Sequence, residues 1–199
     1  QYCCYKIRGC RMSELNLTHS NGNKVKLTTP DSLAANKTFK LPDADVTTAT
    51  FQIVPPVFRA IRSDYQVLSN NTDTVIEFDN DSSSVSFDSN GFFNTSTYRF
   101  TPTIAGYYQL TAQLEFSLNT GNNLFGLMIF KNGSEYLRIR RWNDGSNSNV
   151  NINITGIVPF NGSSDYAQVY GWQNSGGNIT VFQGSGRSYF EGVYLRPLI

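Results

Sequence analysis

From Tyr107 to Leu118 the chain alternates apolar and polar side chains. Tyr108, Leu110, Ala112, Leu114, Phe116 and Leu118 fall on one face, and Thr111, Gln113 and Glu115 on the other. A period of two is the mark of an extended strand with one face buried; a helix would scatter the same residues around its circumference. The pattern recurs: Ile152, Ile154, Gly156, Val158 and Phe160 share a face, Asn161-Gly162 ends that run, and another run covers Tyr166 to Trp172. No segment from Val57 onward sustains helical periodicity, so the expected class is all-β, a sandwich or barrel of short strands and turns. Leu124 to Phe130 is apolar on both faces and ends in the hairpin signal Lys131-Asn132-Gly133-Ser134. Burial on both sides there predicts an intersubunit contact. The last strand sets Tyr189, Glu191, Val193 and Leu195 against Phe190, Gly192 and Tyr194, which predicts a central place in its sheet.

A chain of 199 residues has room for one substantial core and a shorter extension. Lys and Arg number 16 against 15 for Asp and Glu, a net charge of +1, so no long-range field draws the chain to nucleic acid, and none is expected as a partner. No stretch approaches the roughly 20 apolar residues of a spanning helix, so no membrane insertion is expected. Cys3, Cys4 and Cys10 all stand at the N-terminus, which leaves the rest of the chain to be held by packing alone. They invite a metal-knuckle reading, but no second ligand pair follows and His19 is the sole histidine, so no metal is expected there. Met12-Ser-Glu-Leu reads as a start, with residues 1–11 an upstream extension or a processed remnant. Residues 13–54 are polar and turn-rich, with short alternations at Val25/Leu27 and Phe39/Leu41 between Pro30-Asp31 and Pro42-Asp43. Residues 1–54 are therefore expected to form an extended N-terminal β arm, too poor in apolar residues to fold alone, whose strands pair with the head, sister chains or a larger assembly. Pro55-Pro56 forbids helix and marks the boundary of a head over 55–199.

In the head, Phe100-Thr-Pro-Thr-Ile-Ala-Gly106-Tyr-Tyr108 follows an upstream series in which Asp88 lies five residues before Phe93 and Phe93 seven before Phe100. Lys131-Asn132-Gly133, the loop Gly171 to Gly177 and Phe190-Glu-Gly192-Val-Tyr-Leu195 follow later. These motifs resemble the C1q-like head, with Ser82 and Leu110 standing where that family usually has Phe. The resemblance covers roughly the last three-quarters of the chain. It implies a jelly roll of the C1q and tumour-necrosis-factor type and a homotrimer. It further implies that Phe93, Phe100, Gly106, Tyr108, Asn132, Gly133, Phe190, Gly192 and Leu195 serve as structural and trimer-core residues. In the arm, Leu33 to Asp45 is similar in wording to segments preceding such heads in bacteriophage virion proteins. That likeness implies attachment to other virion proteins through the arm and a head facing outward on the virion surface.

Catalytic constellations are weak. His19 sits beside Ser20 in the polar arm with no strand-end scaffold, and Asp43, Asp45, Glu77, Asp79 and Asp81 lie in Ser/Asn/Asp-rich stretches typical of solvated turns, so no enzyme is expected. Asp79-Asn80-Asp81 is a candidate for calcium through oxygen ligands, without a complete loop pattern; no other cofactor is expected. Arg138-Ile-Arg140-Arg141-Trp142 is the sharpest polar feature, because guanidinium groups beside an indole clamp a carboxylate or stack on a sugar or base. Trp172, with Gln173 and Asn174, offers a second platform. The alternative for these arginines is intersubunit pairing with Glu135 or Asp144. The expected function is a non-enzymatic trimeric virion structural protein, either capsid decoration or fibre tip, with a host-surface glycan or protein as candidate ligand. The alternative is a secreted lectin-like recognition protein, for which a signal peptide or Gly-x-y stalk would be expected.

Overall fold

The secondary structure is β throughout the described residues, which in this computed structural model are 14–18, 24–28, 55–80, 83–119, 121–143, 145 and 148–198. The chain divides into two units, Gln1–Phe51 and Gln52–Ile199. In the first, β1 (Glu14–Thr18) and β2 (Lys24–Thr28) form an antiparallel pair running from Glu14↔Thr28 to Thr18↔Lys24. These two strands, expected to seek partners elsewhere, pair with each other. Phe39, Leu41, His19 and the three cysteines lie outside the described residues.

The second unit holds β3 (Val57–Ile61), β4 (Gln66–Leu68), β5 (Thr74–Val75), β6 (Phe87–Asp88), β7 (Phe93–Asn94), β8 (Arg99–Phe100), β9 (Gly106–Asn119), β10 (Leu124–Lys131), β11 (Ser134–Trp142), β12 (Ser148–Phe160), β13 (Ala167–Gln173), β14 (Ile179–Val181) and β15 (Tyr189–Arg196). The long alternating run of the sequence is β9, the axis of one sheet. It carries β12 along one edge and β15 along the other, with β14 continuing the β15 side at Val181↔Phe116 and passing to β4. Beyond β15 come β3 and β6, so the last strand is central, as its two-sided apolar content predicts. The second sheet runs β11-β10-β13-β8-β7, with β5 also on β13. All pairings are antiparallel, and the sheets face each other as a jelly-roll sandwich.

Between the sheets, alternate residues of β9 (Tyr108, Leu110, Ala112, Leu114, Phe116) meet those of β12 (Val150, Ile152, Ile154, Val158, Phe160) and β10 (Phe125, Leu127, Ile129). An aromatic group closes one end. Phe58 stacks on Phe100 at 4.2 Å between centroids and meets Phe190 edge-on at 5.0 Å, while Phe100 meets Tyr108 and Phe160 at 5.4 and 5.5 Å. The motif spacings acquire physical reasons here. An Asp88 carboxylate oxygen accepts from the Phe93 backbone N–H at 2.6 Å, fixing the five-residue interval, and the Tyr108 hydroxyl donates to the Ile104 carbonyl at 2.9 Å, pinning the turn that launches β9. Burial, with Tyr194 adding to it, pushes the Tyr108 phenol up to about 12, so it remains a donor throughout the physiological range. Gly192 is required by contact: a methyl group there would lie 2.6 Å from both Leu110 and Phe58.

Phe93, Phe100, Tyr108 and Phe190 are buried inside one chain and build the protomer's own core, and Leu195 lies outside that core at 44% exposed. The two-sided burial of β10 arises within one chain. Its inner residues enter the core, and Met128, on the outer face, is already 1% exposed within one chain.

Asn132 and Gly133 form the two-residue turn between β10 and β11, both in the left-handed region with φ of 53° and 78°. The Asn132 side chain donates to Asp165 at 2.8 Å and accepts from the Tyr166 N–H at 2.9 Å, tying this turn to the loop before β13. Burial alone would raise the Asp165 carboxyl, but hydrogen bonds from Asn132, Lys131 and the Asn161 N–H, with the Lys131 charge, outweigh it and hold the group below the usual carboxylate range. A carboxyl depressed in the fold stabilises above its unfolded value and loses that contribution as pH falls through the folded one. Asp165→Asn is therefore expected to cost about 1 kcal/mol near neutrality, with the melting-temperature gap to the parent closing below about pH 4. A gap that widens in acid would contradict this account.

Candidate functional site

The two outer faces of the sandwich differ in chemistry. On the β9 sheet, the outward positions are Tyr107, Gln109, Thr111, Gln113 and Glu115 of β9 and Asn151, Asn153, Thr155, Ile157 and Pro159 of β12, paired across the ladder. Glu115 is the one charged residue among them. Ile157 is 56% exposed, although an isoleucine in that position would normally be covered. Beside this row, Val57, Phe87 and Val193, with Gln109, Thr111 and Glu191, rim a hollow of about 200 Å³ floored by Phe58 and Gly192. Phe87 is 49% exposed at its lip. Arg59 borders the face and is held by Glu191 at 2.9 Å and by the Tyr189 ring, so the charges here are internally spent. Depletion of charge around exposed apolar side chains is the composition of a protein interface core. The sequence reading missed this face; its signal was the uncharged outer row of β9 and β12.

The β11-β10-β13 face is its opposite. Arg138, Arg140 and Trp142 alternate onto the outer side of β11, where Arg140 stands in register with Gly126 of β10 and Trp172 of β13. A methyl group at Gly126 would meet Met128 Sδ and Trp172 Cβ at 3.4 Å. The Arg140 guanidinium reaches across the Gly126 position to within 5.0 Å of the Trp172 ring. Two platforms that the sequence listed separately thus form one surface. Arg138 is held by Glu135 of its own chain, an intrachain pairing in place of the intersubunit one weighed above. Arg141 points to the other side of β11 and donates to the Asn151 carbonyl at 2.8 Å. Gln173 is buried and holds Leu68 and Gly177 carbonyls, and Asn174 accepts from the Leu124 N–H at 2.6 Å, so both are structural. Asp144 lies outside the described residues.

With both faces described, the fold finds its counterparts. It is similar to the structure titled Eiger TNF from S. frugiperda, with a TM-score of 0.51 and 10% identity over 73% of this chain and 94% of that one. Two crystal structures of murine APRIL are also similar, with TM-scores of 0.53 and 0.52 and identities of 14% and 12%, each over 71% of this chain and 99% of that one. The fold is a jelly roll of the tumour-necrosis-factor and C1q-like type. No protein-family model matches the sequence, and no curated protein does.

The candidate cation cluster is otherwise engaged. Asp79 accepts from the Ser63 N–H and hydroxyl at 2.8 Å and lies 3.4 Å from the buried Arg62 guanidinium, a positive charge that opposes a cation at the same carboxylate. Asp81 is outside the described residues, and no group of three metal-ligating residues occurs among those described.

Proposed function

We propose that this chain is a non-enzymatic binding module that works as a homotrimer on a virion surface, with residues 1–54 attaching it to other virion proteins and the head over 55–199 turned outward. The observation that carries the trimer is the outer face of the β9 sheet. It combines exposed Ile157 and Phe87, the hollow at Val57 and Val193, and an almost uncharged surround. Water against such a face is costly, and packing three copies around a threefold axis through heterologous contacts removes it without needing a different partner. The similarity of the fold to TNF-type heads supports the reading. The virion assignment is supported by the likeness of Leu33 to Asp45 to the arms of phage virion proteins. A head without cysteines, held by packing, suits a particle-borne role.

Sedimentation equilibrium of the full chain tests the assembly: a mass three times the 22.3 kDa of one chain is expected. Removal of residues 1–54 is expected to keep the threefold mass and abolish attachment to the particle. A full-length monomer would overturn the trimer.

A further inference from the structure

We infer that Arg140, Trp142 and Trp172 form a binding site for a sugar bearing a carboxylate, on the outer face of β11-β10-β13. This rests on the binding-module reading but not on the trimer. Among the described residues no carboxylate pairs with Arg140, whereas Arg138 is neutralised by Glu135 and Arg141 is turned to the other side. One guanidinium on this face is therefore left without a counter-charge. Its planar fork offers two parallel N–H donors, the match for a carboxylate, and its position over the Trp172 ring limits the freedom it would lose on binding.

Trp142 supplies the second element. Two residues along the same face of β11, its indole stands roughly 7 Å from the Arg140 row. At 62% exposed it is the most exposed large hydrophobic side chain among the described residues. A bare indole of that kind is a flat apolar surface on which the C–H face of a pyranose stacks, while its N–H stays free for a hydroxyl. All three residues sit on paired strands, so the arrangement stands before the ligand arrives. One guanidinium over the Trp172 ring, with an exposed indole two residues along the strand, suits one sugar with one carboxylate. Nucleic acid would instead require a row of cations, and the chain carries a net charge of only +1.

The test is titration of the full chain with the methyl glycosides of glucuronic acid, N-acetylneuraminic acid and glucose, followed by tryptophan fluorescence. At least one acidic sugar is expected to saturate, with a Kd about tenfold or more below that of glucose. Arg140→Gln and Arg140→Lys are both expected to weaken it about tenfold, because lysine keeps the charge but loses the fork. Trp142→Ala is expected to weaken acidic and neutral sugars alike, with the melting temperature unchanged because its ring is mostly in solvent. The inference is overturned if neither acid saturates by about 20 mM, if glucose binds as tightly, if a short acidic peptide binds as tightly, or if the variants that remain folded bind like the parent. A trimer that ignores all three sugars sinks this site alone, and a monomer that binds the acids leaves it standing.

Discussion

Phe100→Ala is expected to remove about 3–5 kcal/mol of stability, a large share of the 5–15 kcal/mol of an ordinary domain. The ring is 2% exposed and lies at the meeting point of the aromatic group: stacked on Phe58, and edge-on to Phe92, Tyr108 and Phe160. Its backbone is fixed on both sides, paired with Phe93 in β7 and Ala167 in β13, so the walls of the resulting cavity cannot close in. Denaturant unfolding at matched protein concentration measures the effect, since any assembly makes apparent stability concentration-dependent. Tyr136→Ala provides the contrast, because a ring 44% exposed on β11 leaves no cavity in the core. A Phe100→Ala midpoint close to that of the parent would mean that the aromatic group does not hold the sandwich together.

Ile157→Asp is expected to convert the trimer to monomers at micromolar concentration while leaving the protomer folded. In a three-copy assembly built on the β9 sheet, each substitution would bury an unpaired carboxylate, and several kcal/mol per copy is the usual cost. In the single chain the position is 56% exposed, so the aspartate there remains hydrated. Tyr136→Asp, at a site 44% exposed on β11, is expected to retain the threefold mass. If Ile157→Asp sediments as a trimer, the association face lies elsewhere on the head. If it fails to fold alone, circular dichroism distinguishes that outcome from dissociation.

Patterns that depend on near neighbours were legible from the sequence. The alternation at 107–118 became β9, Asn132-Gly133 became a hairpin turn, and the two-sided composition of 189–195 became a central strand. The C1q-like spacings were legible as motifs, although only the structure shows that Asp88 holds the Phe93 N–H and that Tyr108 holds the Ile104 carbonyl. What the sequence left illegible was where an outward-facing side chain finds its neighbours. The double-sided apolar run at 124–130 looks the same whether its outer face meets another chain or the side chains of β11 and β13. Likewise, Trp172 joins Arg140 only through register across three strands. No local pattern encodes a contact between residues 32 positions apart on separate strands.

The central position of β15 bears on how the molecule is made. β3, among the first strands of the head to leave the ribosome, pairs with β15 at Tyr189↔Ile61 and Val193↔Val57, and β15 in turn pairs with β9. Until β15 is synthesised, β3 and β9 each present an open edge toward a gap that no other strand fills. Pairings this distant in sequence form slowly, and unpaired edges invite association with neighbouring nascent chains. This sheet therefore closes only once β15 has been made, and a truncation within β15 would leave it divided down its middle.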